Sequence, residues 1–183
     1  MDSLAPEVLR FWFGEGPEQG KIHKRWFVKD AAFDQEIRLR FLALYESVSE
    51  NRQWLDHARD CLARIIVLDQ FPRNMFRGTA RAFAADRLAL ESARLAVERG
   101  YDRGMLQVEQ LFVYLPFEHS ESLADQDAAC ELMKDFSAEQ RDYAERHRAI
   151  VRRFGRFPHR NAILGRNSTP EEIEFLKQPG SVF

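Results

Sequence analysis

Apolar residues recur at helical spacing along almost the whole chain, and this pattern limits the fold more than any other feature. The clearest case includes Phe33, Ile37, Phe41 and Val48, placed after Asp30, which can cap the helix. No stretch has the strict apolar and polar alternation of a half-buried strand. The sequence therefore predicts an all-α protein of about eight helices with short connections.

Start and stop signals divide this pattern into separate helices. Proline in the first turn and glycine past the end bound a short helix from Pro6 to Gly14. A serine cap and a glycine stop bound a longer helix between Ser137 and Gly155. The segment Thr169–Glu172 has the form of a capping box with proline at the first helical position. It predicts a short last helix that points Ile173 inward.

Length and composition predict one soluble domain over residues 1–183. Hydrophobic residues make up 45% of the chain and charged residues 31%, a balance typical of globular proteins. The formal net charge of −2 argues against nucleic-acid binding, which relies on a broad positive surface. The N-terminal stretch has neither the basic residues of a secretion signal nor the apolar length of a membrane span. With Cys61 and Cys130 interpreted as packed thiols, these features predict a cytoplasmic protein that does not bind membranes.

Polar residues follow the most apolar stretch of the chain. The stretch Leu62–Leu68 predicts a central helix, and Pro72, just beyond it, disfavours helical geometry at the residue before it. We expect the polar side chains here to lie at the C-terminal end of that helix, bonded to each other or to a ligand. These candidate ligand-binding residues are Asp69, Gln70, Arg73 and Asn74. Asp86 interrupts the apolar stripe of an alanine-rich helix predicted for Thr79–Arg99, so it requires a cationic partner.

Seven arginines and two histidines lie between Arg146 and Arg166 without an acidic residue. Ordinary helix surfaces alternate in charge, so this run requires partners from elsewhere. One interpretation is internal pairing with the nine acids between Glu118 and Glu145, and with Asp69 and Asp86. The other is a bound carboxylate or phosphate, held by bidentate contacts. The candidate ligand-binding residues of the run are Arg153, Arg156, Arg160 and Asn161.

The histidines are weaker candidates for chemistry. His147 falls on a predicted apolar helix face with Tyr143, which favours a packed core histidine. His119 and His159 lie in proline-flanked turns beside charged residues, where either could act as a general base oriented by Glu121. These three residues of the turns are the candidate catalytic residues. With Asp69 the same residues could instead form a metal site, but no pair has the spacing of a known zinc motif, so we expect neither a metal nor another cofactor.

Three longer motifs resemble a known family. They are LDQFPRNMFRGT from Leu68, YLPFEHSE from Tyr114 and HRAIVRRFGRFPHRNAILGRNSTPEE from His147. Together with FWFG and RWF near the N-terminus, they are similar over essentially the whole chain to the bacterial and plant family known as domain of unknown function 924. The resemblance implies antiparallel helix pairs in a superhelix like that of tetratricopeptide-repeat proteins. It implies no activity.

Two classes of function are open at this point. The first is a binding or interaction protein whose arginine-lined cleft takes an anionic small molecule or peptide. The second is a small hydrolase or transferase that uses His119 or His159 as general base in the same cleft. In both cases we expect the three motif segments to converge on one side of the protein, because each has polar residues at a helix end that must find partners.

Overall fold

The chain, described here by a computed structural model over residues 4–16 and 20–181, is built from helices. In chain order they are α1 (Ala5–Phe13), α2 (Ala31–Glu50), α3 (Ala58–Ile65), α4 (Phe71–Met75), α5 (Asp86–Glu98), α6 (Gln107–Glu118), α7 (Leu123–Leu132), α8 (Ala138–Phe154) and α9 (Pro170–Phe175). A π-helical segment, Ile66–Gln70, joins α3 to α4, so these two form one continuous helical stretch. No strand occurs within the described ranges. The prediction of an all-α fold with about eight helices is confirmed.

Contacts within the chain group it into two compact units. The first contains the described residues up to Arg77 together with Arg81–Pro116, and the second contains Gly78–Ala80 and the described residues from Phe117 onward. The expectation of a single domain over residues 1–183 stays a prediction, as does the superhelix implied by the family resemblance.

Stacked aromatic rings form the core of the first unit. Trp12 on α1 is fully buried, and its ring stacks on that of Trp26 with centroids 5.7 Å apart. Phe112 on α6 meets Trp12 edge-on at 5.5 Å, and the indole N–H of Trp26 donates to the carbonyl oxygen of Trp12 over 3.1 Å. α1 packs on α3, α2 on α4 and α3 on α5. The short N-terminal helix therefore anchors the unit with apolar rings.

The π-helical segment accounts for the placement of Pro72. The N–H of Phe71 bonds to the carbonyl oxygen of Ile66, five residues earlier, instead of four. This wider turn continues the helical path with Pro72 in the first turn of α4, where the missing proline N–H is not needed. The expectation that the helix ends before Pro72 is therefore wrong. The polar residues from Asp69 to Asn74 lie within a helical stretch that continues to Met75.

Two other helix boundaries also differ from their predictions. The alanine-rich helix α5 begins at Asp86, because a 3-10 turn at Ala80–Phe83 precedes it in place of the helix start expected at Thr79. A carboxylate in the first turn interacts favourably with the helix dipole. The sequence also predicts that Pro116 closes the helix before it, but Pro116 lies inside α6, which continues to Glu118. Since Pro116 is near the helix end, its missing N–H removes only one of the last backbone bonds.

The second unit is built on the packing of α7 against α8. Ser137 and Gln140 form the capping box that starts α8, and Gly155 ends the helix with a left-handed φ of 70°. The core of this unit includes Ile150, Val151 and Phe157. The capping box expected at Thr169 is also present, and it starts α9.

Two side chains of the second unit expected to point inward are exposed instead. Tyr143 is 45% exposed because the buried face of α8 follows Ala144, His147 and Val151, which places Tyr143 at its edge. Ile173 is 50% exposed, and the buried residue of α9 is Glu172. A charged side chain therefore occupies the inward position of this last helix.

Candidate functional site

The first group of candidate residues forms an ion-pair network in the first unit, which we call the Arg73 cluster: Asp69, Gln70, Arg73 and Asp86. The guanidinium of Arg73 forks onto Asp86, with Nη1 2.9 Å from Oδ1 and Nη2 3.1 Å from Oδ2. Nη1 also lies 3.3 Å from Oδ1 of the fully buried Asp69. Gln70 donates to the other oxygen of Asp69 over 2.6 Å. The expected cationic partner of Asp86 is thus confirmed as Arg73.

Asn74, the fourth polar residue of this segment, belongs to a different network. Its amide donates to Oδ1 of Asp34 over 2.7 Å, and Arg77 forks onto the same carboxylate. Burial opposes ionisation of Asp34, but the hydrogen bonds from Arg77 and Asn74 prevail and lower its pKa. The polar residues around Pro72 are therefore bonded to other side chains of the first unit.

Several arginines of the acid-free run form ion pairs on the surface of the second unit. Arg148 lies 2.6 Å from Glu145 and 3.3 Å from Asp127. Arg153 reaches Glu171 over 2.9 Å, and its guanidinium lies over the ring of Phe154, 4.7 Å from the centroid. The Glu145 and Asp127 partners come from the acid-rich segment before the run, as one interpretation expected, whereas Glu171 comes from the helix after it.

Arg156 and Asn161 are joined by a buried carboxylate that sequence reasoning did not select. Arg156 forks onto Glu172, with Nε 2.7 Å from Oε1 and Nη2 2.8 Å from Oε2. Asn161 donates to Oε2 over 3.2 Å, and the backbone N–H of Thr169 donates to it over 2.7 Å. The hydrogen bond from Arg156 is the main cause that lowers the pKa of Glu172 to about 2. The capping box was the available signal, because it predicted a glutamate turned back toward its own helix start.

The remaining candidates meet in the second unit, in what we call the His159 cluster: His119, Glu121, His159, Arg160 and Arg166. Arg166 forks onto Glu121 with distances of 2.7 and 3.0 Å, and the backbone N–H of Phe157 donates to the same carboxylate over 2.8 Å. Arg160 is buried; it donates to the carbonyl oxygen of His119 over 3.0 Å and lies 4.6 Å from the ring centroid of Phe157. The turn after α6 and the segment after α8 therefore come together.

Charges within this cluster keep its imidazole and carboxyl groups in defined states. Burial, followed by the nearby charge of Arg160, lowers the pKa of His159 to about 4, so this half-buried ring is neutral at pH 7. Burial opposes ionisation of Glu121, but its bonds from Arg166 and from the N–H of Phe157 lower its pKa. Arg166 was not selected from the sequence, although it ends the arginine run that gave the other candidates.

His147 is a core residue of the second unit, as the sequence predicted. It is 5% exposed, and its Nδ1 lies 2.9 Å from the carbonyl oxygen of Tyr143. The same nitrogen lies 3.5 Å from Oε2 of the buried Glu118. Burial lowers the pKa of His147 to about 3. The imidazole is therefore neutral at physiological pH and serves packing.

Two of the three motif segments converge as expected. The His119 turn and the segment after α8 meet in the His159 cluster. For the segment from Leu68, which lies in the first unit, convergence stays a prediction. Within the described residues, no group of three or more histidine, cysteine, aspartate or glutamate side chains is arranged to hold a metal ion. None of the described helices is both long and apolar enough to cross a membrane.

Over the described ranges, this is an all-helical protein whose charged side chains form internal networks. The chain belongs to the family described as Bacterial protein of unknown function (DUF924), whose model matches residues 8–180. A solved structure of the protein of unknown function ATU0120 from Agrobacterium tumefaciens is similar to it, with a TM-score of 0.87 and 44% sequence identity. That match covers 95% of this chain and 97% of the other. No curated protein matches the chain. The family resemblance seen in the motifs is confirmed.

Proposed function

We propose that this protein is a binding protein that takes an anionic group, a carboxylate or phosphate on a small molecule or peptide, at the His159 cluster. One observation carries the proposal: two guanidinium groups, Arg160 and Arg166, and the half-buried imidazole of His159 interact with a single carboxylate, Glu121. Two positive charges therefore face one negative charge, and planar guanidinium groups match the geometry of carboxylate and phosphate.

The surrounding contacts also support a preorganised binding site. Arg160 is fixed by its bond to the backbone of His119 and by the Phe157 ring, so it loses little further freedom when it meets an anion. The neutral ring of His159 can gain a proton when a negative charge arrives, because the anion offsets the effect of the neighbouring arginines. The site therefore adapts its charge to an anionic ligand.

The same contacts support binding more than hydrolase or transferase chemistry. In the hydrolase or transferase hypothesis Glu121 orients the histidine base, but both oxygens of Glu121 accept hydrogen bonds from Arg166. With its pKa at about 4, His159 is a weak base near neutral pH. We propose a cytoplasmic setting for the binding function, which the free thiols of Cys61 and Cys130 support.

Phosphate is expected to raise the melting temperature of the protein more than chloride at equal ionic strength. Ligand at ten times its dissociation constant stabilises the folded state by about 1.4 kcal/mol. For a chain of this length, that corresponds to roughly 3–6 °C. Acetate, compared in the same way, tests whether a carboxylate serves as well as a phosphate. Differential scanning fluorimetry provides the measurement.

Arg160→Gln is expected to reduce the phosphate-dependent rise relative to the parent, because it removes the fixed guanidinium. Arg152→Gln is the matched control: it removes an arginine of the same run whose side chain is 59% exposed and 3.7 Å from its partner Asp127. The quantity compared is the difference in melting temperature of the same protein with and without phosphate. A lower melting temperature of the variant itself therefore does not affect the comparison. A phosphate-dependent rise of the same size in Arg160→Gln as in the parent, or one that chloride reproduces, would contradict binding at the His159 cluster.

A further inference from the structure

In the first unit, Arg64 is buried without an ion-pair partner among the described residues. Arg64 on α3 is 3% exposed. Its Nε donates to Oγ of Ser92 over 3.1 Å, and its Nη1 donates to the carbonyl oxygens of Val48 and Gln53 over 2.9 and 3.2 Å. Within the described residues it forms no ion pair. Proteins usually place a carboxylate or a bound anion beside a buried guanidinium.

A cavity opens beside this guanidinium. Its volume is about 160 Å³, and its wall includes Arg64, Arg52, Leu88 and Ser92. A single water needs only about 10–15 Å³ of such space, so the cavity has room for a small ligand. The second terminal nitrogen of Arg64, Nη2, donates no hydrogen bond to a described residue and is not closed off from solvent. This nitrogen is therefore available at the cavity wall.

Two arginines and two acids, Glu50 and Glu91, line the cavity. Arg52 is close enough to interact electrostatically with Arg64, and the two positive charges repel. Glu91 also interacts electrostatically with Arg64, but its ion pair is with Arg87, 2.8 Å away. An oxyanion between the two guanidinium groups would relieve their repulsion.

We propose that this cavity binds a small oxyanion, a carboxylate or phosphate group, on Nη2 of Arg64 with Arg52 at the rim. The site is built from residues of the first unit and is independent of the function proposed for the His159 cluster. Because the two sites share no residue, a local probe distinguishes them.

The test is a titration of the ¹⁵N-labelled full chain with sodium phosphate and, separately, sodium acetate. Chloride at equal ionic strength is the reference. The observed signals are the side-chain Nε–H of Arg64, assigned from its loss in Arg64→Lys, and the backbone amides of Asn51 and Arg52. We expect a saturable shift of these signals with phosphate or acetate and none with chloride. The anion that saturates at the lower concentration defines the chemical class of the ligand.

Leu88→Trp narrows the cavity without replacing either arginine, and it keeps the test valid even where Arg64→Lys does not fold. Leu88 is half-buried on the cavity wall, so a larger side chain there can be accommodated toward solvent. We expect it to weaken anion binding at least about tenfold, the effect of losing one charge-assisted hydrogen bond. Arg94→Gln, at an exposed arginine of α5 that does not line the cavity, is the matched control and should change affinity less than about twofold. Absence of a saturable shift, or one that Leu88→Trp leaves unchanged, overturns the proposal.

Discussion

Replacing Arg73 with alanine is expected to destabilise the first unit by about 3–5 kcal/mol, the range for removing one partner of a buried ion pair. The Arg73 side chain is 20% exposed, and the Asp69 carboxylate that it contacts is fully buried. Without the guanidinium, Asp69 keeps the hydrogen bond from Gln70 but loses its positive neighbour, and Asp86 loses both of its forked bonds. In the unfolded chain, water solvates both carboxylates fully. Removal of Arg73 therefore raises the free energy of the folded state and not that of the unfolded state.

Tryptophan fluorescence during urea unfolding measures this effect directly. All three tryptophans of the chain, Trp12, Trp26 and Trp54, belong to the first unit, so the signal reports the unit that contains Arg73. Arg73→Lys keeps the positive charge but not the forked geometry. We expect its free energy of unfolding to lie between that of the parent and that of Arg73→Ala.

Arg87→Ala provides the control for this measurement. Arg87 lies on α5 beside Asp86, but its side chain is 81% exposed, and its ion-pair partner among the described residues is Glu91, one helical turn away. Pairs of this kind contribute roughly 0–1 kcal/mol, so the variant should unfold close to the parent. A loss below about 1 kcal/mol in Arg73→Ala would show that other groups or water satisfy the two carboxylates, and that the cluster is not a structural clamp.

Local signals in the sequence were sufficient to predict the fold class and many helix ends. The caps at Asp30, Ser137 and Thr169 bond to backbone N–H groups within three residues, so neighbouring residues determine them. The π-helical turn before Pro72 was missed because apolar spacing cannot distinguish a bond to the fifth preceding residue from one to the fourth. The local rule for proline therefore gave a wrong helix end.

The candidate site could be predicted in its residue types but not in its pairings. The arginine run marked a region that requires negative partners, and Glu121 and Arg160, selected as candidates for different roles, lie in one cluster in the structure. Which carboxylate each arginine takes depends on tertiary packing. Arg156 pairs with Glu172, 16 residues later in the chain, because the intervening segment folds back and places α9 beside Arg156. No rule of residue spacing predicts this arrangement. The composition of the run is the same for all of its arginines. The direction of each side chain in the structure distinguishes the arginines that form structural ion pairs from those proposed to bind an anion.

Acidification is expected to destabilise the second unit through His147, and His147→Asn should remove much of this effect. The folded-state pKa is about 3, below the value of about 6.5 for an unperturbed histidine, so the unfolded chain binds the proton more tightly. Above pH 6.5 the residue is neutral in both states and has no effect. As the pH falls from 6.5 toward 3, protonation favours unfolding, and at pH 4 the loss amounts to about 3 kcal/mol.

The measurement is the difference in unfolding free energy between pH 7.5 and pH 4, from urea denaturation followed by far-UV circular dichroism. The asparagine amide can still donate to the Tyr143 carbonyl, as Nδ1 of His147 does. Its smaller size destabilises the protein at every pH, so only the difference between the two pH values is compared. His57→Asn, at an exposed histidine of the first unit, is the control and should retain the parental difference. An equal loss on acidification in the parent and in His147→Asn would show that the buried imidazole accepts its proton without unfolding, and that His147 does not limit stability in acid.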